Sequence, residues 1–194
     1  MYRTSDYTGT LFSHVAAVYR PGERDIAVEF VEALGCVAAD TPAKADSGSF
    51  FMSVHPNPED RDPLNNVFYL SEMMPQQLAL EQALKTRMAQ DPALHDSVAA
   101  YREAALATPA SIPHFAINFP SMAAVEPVLD RLTNGLRPAL AKRVSMRIFR
   151  PGDPGAMGKD CIIAFVYTDI IVSGAGGFGQ LIEIQGRPRK LGGH

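Results

Sequence analysis

Two histidines and one glutamate stand inside apolar runs, where a polar side chain needs a reason to be. His14 interrupts LFSHVAAVY (11–19), His114 interrupts SIPHFAINFP (111–120), and Glu183 separates Ile182 from Ile184 in FGQLIEIQ (178–185). All three runs alternate as strands do, with successive side chains on opposite faces. His14 therefore shares a face with Ala16 and Val18, opposite Val15, Ala17 and Tyr19. His114 goes with Ala116 and Asn118, opposite Phe115, Ile117 and Phe119. Glu183 goes with Leu181 and Gln185, away from both isoleucines. In each strand the bulkier row can pack on a helix, which turns the polar row the other way. A carboxylate in such a strand is costly unless it is paired, protonated or bound to a cation. Two imidazoles and a carboxylate on one side of a divalent ion leave positions open for substrate, and this donor set suits Fe, Mn, Zn, Ni or Co. The competing reading is a polar cup without metal that holds a small apolar molecule.

The elements that must position these residues follow one order twice. After the His14 strand, Pro21-Gly22 makes a turn, and Asp25 is placed to cap a helix over Asp25–Leu34. Ile26, Phe30, Val31 and Leu34 form its apolar stripe and Gly35 ends it. Cys36–Ala39, Ser49–Val54 and Val67–Ser71 read as three short strands. Between the last two lies HPNPEDRDPLNN, which makes His55 part of a solvated loop. The second half repeats the scheme: a strand at Ser111–Phe119, Ser121 as N-cap, and a helix over Met122–Leu132 with Val125, Val128, Leu129 and Leu132 inward. Strands at Val144–Phe149, Cys161–Thr168 and Gly179–Gln185 follow. The fold class is α+β, with two βαβββ modules forming a curved mixed sheet: one domain over 1–194, with modules at 10–73 and 111–186 and a tail at 187–194.

An insertion at 74–110 separates the modules. Pro75 opens a helix with Leu80, Leu84 and Met88 on one side, Asp91-Pro92 breaks it, and Leu94, Val98, Tyr101 and Ala105 repeat along a second helix. These helices either cover a sheet edge or dimer contact, or close over a pocket. A homodimer is expected.

A net charge of −3 and a pI near 5.9 argue against nucleic acid or an anionic membrane as partner. No secretory signal or membrane-spanning run is visible, and Cys36 and Cys161 are too few for a disulfide framework. These features predict a cytoplasmic protein. The glycines of GAGGFG (174–179) precede a strand, so they read as a hairpin connection and not as a dinucleotide fingerprint. RPGDPGAMGKD (150–160) reads as a loop in which Arg150 or Lys159 is available to an anionic substrate group.

The doubled βαβββ order, with FSHVAAVY, IPHFAINF and FGQLIEIQ carrying histidine, histidine and glutamate, resembles the vicinal oxygen chelate superfamily. That group includes glyoxalase I, type I extradiol dioxygenases, methylmalonyl-CoA epimerase and the bleomycin- and fosfomycin-resistance proteins. The resemblance covers residues 10–73 and 111–186. It implies a divalent metal held by His14, His114 and Glu183, and a substrate that chelates it through two adjacent oxygens. Glyoxalase-like members add a fourth ligand on the last strand of the first module, where this chain has Tyr69. The remaining two-histidine, one-glutamate set looks like that of the extradiol dioxygenases, whose site also holds a tyrosine, for which Tyr167 is the candidate. For both tyrosines, a place in the wall of the cup is the competing role. Of the other internal histidines, His55 and His95, neither can be assigned to the acid/base role.

Overall fold

The computed structural model describes residues 8, 10, 12–40, 51–62, 64–174 and 179–187. The strands are β1 (His14–Tyr19), β2 (Val37–Asp40), β3 (Phe51–His55), β4 (Val67–Glu72), β5 (His114–Phe119), β6 (Val144–Phe149), β7 (Ile162–Thr168), β8 (Ile171–Val172) and β9 (Gln180–Gly186). The helices are α1 (Arg24–Ala33), α2 (Pro75–Gln90), α3 (Pro92–Ala107), α4 (Met122–Asp130) and the single turn α5 (Pro138–Ala141). The fold is α+β with two mixed sheets, ordered β2-β3-β4-β1-β8 and β5-β9-β7-β6. The chain divides into two compact units, residues 1–86 with 170–177 and residues 87–169 with 178–194.

Both sheets are wired alike. The opening strand runs parallel to the last strand of its own repeat (β1 with β4, β5 with β9), and that strand is antiparallel to the third (β4 with β3, β9 with β7). A parallel pair needs a crossover, which α1 opens in the first unit and α4 in the second. In α4 the expected stripe is inward: Val125, Val128, Leu129 and Leu132 are buried, and the Ser121 side chain accepts from the Ala124 N–H as an N-cap. The helix is shorter than its pattern suggested, passing at Arg131 into a wider turn over Arg131–Gly135. Gly186 explains why β9 lies so close beneath it. A Cβ there would meet Val125 Cγ1 at 2.5 Å and the Ser121 carbonyl at 2.8 Å. Ile182 and Ile184, on the same face as Gly186, are fully buried. Glu183 is thereby turned to the opposite face.

In the first unit Ala27, Phe30, Val31 and Leu34 of α1 and its end are buried, with Met52, Val54 and Leu70 from the sheet. The N-cap is Glu23 without a side-chain cap bond, so Asp25 is a first-turn acid and not the cap; its charge suits the positive end of the helix. Cys36 is buried, and desolvation pushes its thiol up to about 12, as befits a small hydrophobe without reactivity.

The insertion departs from its expected stripe. Leu80 is 48 % exposed, and the residue of α2 that goes inside is Glu81, 2 % exposed, with Arg20 Nη2 3.7 Å from its carboxylate. A buried carboxylate needs an opposite charge nearby, and Arg20 supplies it. Along α3, Val98 and Ala105 are buried while Tyr101 faces out. Its last turn is tied to β6, since Arg147 Nη1 donates to the Leu106 and Ala107 carbonyls at 3.0 and 2.8 Å. Among the described residues no helix is long and apolar enough to cross a membrane.

Candidate functional site

The residues singled out by sequence fall on one face of each sheet. In the first unit His14 pairs in register with Val67 and Ala16 with Tyr69; in the second His114 pairs with Leu181 and Ala116 with Glu183. Tyr69 thus holds, relative to His14, the register position that Glu183 holds relative to His114. Directly paired residues share a face, so each sheet carries a two-residue polar group: His14 with Tyr69, and His114 with Glu183.

The second group is the more closely built. His114 Nε2 lies 3.0 Å from Glu183 Oε2, and His114 Nδ1 lies 2.6 Å from the Ile112 carbonyl. A carbonyl only accepts, so Nδ1 carries the hydrogen. The Nε2 lone pair of a neutral ring then points at the carboxylate. Glu183 is 6 % exposed, and its other oxygen, Oε1, accepts a hydrogen bond from Gln185 Nε2. Phe165 stands edge-on to the His114 ring, with centroids 5.5 Å apart. With Ile163 and Leu181 it forms a buried apolar group, and Phe149, Tyr167 and Ile112 pack against it. Phe165 pairs in register with Glu183 and Tyr167 with Leu181, so this buried apolar group adjoins the polar pair.

In the first unit the His14 ring lies 4.8 Å from that of Tyr69, which also meets Phe51 edge-on at 5.3 Å. Nδ1 of His14 is 2.8 Å from Ser13 Oγ. His14 is exposed and Tyr69 half-buried. Tyr167 is hydrogen-bonded to Arg102 of α3; burial raises its phenol above the ordinary value, and Arg102 opposes that rise. Gly179, at φ +101°, lies against the Tyr167 ring, where a Cβ would collide with the hydroxyl.

Two other expected roles change. Arg150 is engaged by Glu126 through both guanidinium nitrogens, so it already has its carboxylate. His55 is not in a solvated loop. It closes β3 and is 3 % exposed, because strand pairing with Val37 continues up to the proline that follows. Its Nε2 lies 3.2 Å from Ser53 Oγ, and burial holds its pKa below the usual histidine range, helped by Arg61 and opposed by Asp60 and Asp62. The unfolded chain therefore takes up this proton more readily than the folded one. Stability is expected to fall as pH drops through the ordinary histidine value. Urea midpoints measured at about pH 7.5 and about pH 5.5 should fall further apart in the wild type than in His55→Gln; equal drops would refute this. His95 is exposed on α3 beside Asp96.

For a divalent metal, the test is the donor set. Among the described residues no group of three or more His, Cys, Asp or Glu side chains gathers to hold an ion. The second unit supplies two donors that fit: a nitrogen whose partner N–H is fixed by a carbonyl, as in metal-ligating histidines, and a carboxylate oxygen. Their 3.0 Å separation also suits a hydrogen bond. Neither Gln185 nor the Ile112 carbonyl was identified as a partner from sequence. The first was legible in the alternation that sets Gln185 on the row of Glu183, whereas the carbonyl left no sequence signal. No protein-family model matches this chain, and no curated protein or solved structure is detectably similar to it.

Proposed function

We propose that the chain is a divalent-metal-dependent enzyme of the vicinal oxygen chelate type, acting on a small organic molecule with two neighbouring oxygens. The observation that carries this reading is the His114 ring, whose Nδ1–H is committed to a carbonyl while Nε2 faces Glu183 Oε2 at 3.0 Å. Two electron-rich atoms so close require a positive charge between them, supplied by a proton or by a cation. His14 holds the matching place on the opening strand of the first unit. A divalent ion, when bound, supplies Lewis-acid polarisation of the paired substrate oxygens.

The remaining tasks belong to the chain. Ile163, Phe165 and Leu181 form a buried apolar group beside the polar pair, which would face the carbon skeleton of a substrate only across the half-buried residues that cover it. The Tyr69 ring stands against His14, and the Tyr167 hydroxyl is engaged by Arg102. A second reading is a metal-free protein that sequesters an apolar molecule, for which the apolar group beside the polar pair is the supporting observation.

Metal content separates the two. Purified without chelator, the wild type is expected to hold about one divalent ion per chain and His114→Ala less than about a tenth of that. A wild type that holds none, and is not stabilised by added Zn²⁺, Mn²⁺ or Fe²⁺, sinks the enzyme reading. Unchanged binding of aromatic ligands by metal-free His114→Ala then supports sequestration. Oxygen uptake with catechols under ferrous iron divides dioxygenase chemistry from isomerase or lyase chemistry.

A further inference from the structure

We propose that Gln185 is a positioning residue that keeps Glu183 a one-oxygen ligand, an inference that rests on the metal reading above. A carboxylate can close on a cation with one oxygen or with both. Here the two oxygens have separate partners: Oε2 faces His114 Nε2 at 3.0 Å, and Oε1 accepts from the Gln185 amide. Only the NH₂ end of that amide can face a carboxylate oxygen, which fixes its orientation. For Oε1 to join Oε2 on an ion, this part-buried hydrogen bond would have to break, and the Gln185 amide would have to find another partner.

The backbone makes the arrangement stiff. Gln185 is the next residue on the Glu183 face of β9, held in register between Asn118 of β5 and Ile163 of β7. The following residue, Gly186, is pressed against α4. A glutamine also does what an arginine or lysine at this place would not. It orients the carboxylate without neutralising it, so the full negative charge stays available to a cation. A single-oxygen glutamate occupies one coordination position instead of two and leaves more of them to a chelating substrate.

Cobalt(II) tests this, because its visible absorption weakens as coordination number rises. Gln185→Leu removes the donor, and Gln185→Asn shortens it by one methylene, so each frees Oε1. Both variants are expected to bind Co²⁺ about tenfold to a hundredfold more weakly in competition with a chromophoric chelator, and to show weaker visible bands than the wild type. A Gln185→Leu chain that melts like the wild type without metal, binds Co²⁺ within about twofold of it and gives the same spectrum overturns the proposal. Should that variant not fold, Gln185→Asn decides by the same two readings. A wild type that takes up no Co²⁺ is a different failure, since it removes the metal reading and this inference with it.

Discussion

Phe30→Ala is expected to cost the first unit about 3–5 kcal/mol, a large part of the about 5–15 kcal/mol that holds a typical domain together. Phe30 is 0 % exposed at the centre of the α1 stripe, between Ala27, Val31 and Leu34, which are equally enclosed. Truncation removes the transfer free energy of the ring and leaves a void that fully packed neighbours cannot close. Urea denaturation read by near-ultraviolet circular dichroism measures the loss. Amide hydrogen exchange should show protection falling first in β1 to β4. A loss below about 1 kcal/mol would mean that α1 is not the main cover of its sheet.

Gly186→Ala should destabilise the second unit by about 2–3 kcal/mol, more than most exchanges of one methyl group. The added carbon would stand 2.5 Å from Val125 Cγ1 and 2.8 Å from the Ser121 carbonyl. A side chain can swing aside, but the carbonyl belongs to the residue that caps α4, so relief requires the helix to move. Adding Val125→Ala is therefore expected to recover only part of the loss, and a double-mutant cycle isolates that share. Full recovery, or an unchanged thermal midpoint for Gly186→Ala alone, would show that α4 rides more loosely on β9 than the distances indicate.

Much of the arrangement was readable because the alternation is clean. Ile182 and Ile184 claim one face of β9, so Glu183 had to take the other; the same logic placed His14 and His114. The α4 stripe and its serine cap were equally plain. The reading failed where tertiary charge or pairing outweighed local pattern. Glu81 is inside because Arg20 meets it, a relation across the sequence that no helical period contains. His55 looked like loop because of the prolines after it, yet backbone pairing with β2 holds it in the sheet. The two-residue strand β8 has no signature of its own, only a neighbour in β1.

That short strand has a consequence for synthesis. Ile171 and Val172 pair with Tyr19 and Val18, so the first sheet takes its last strand from a segment that follows β5, β6 and β7 in the chain. As the chain leaves the ribosome, β1 waits with one edge open until β5, β6 and β7 have been made and β8 has emerged, although domains usually close in order from the N-terminus. The contact also joins residues far apart in sequence, which slows folding. Nascent chains stalled before Ile171 should therefore present β1 as an exposed edge to chaperones, and those stalled well after Val172 should not.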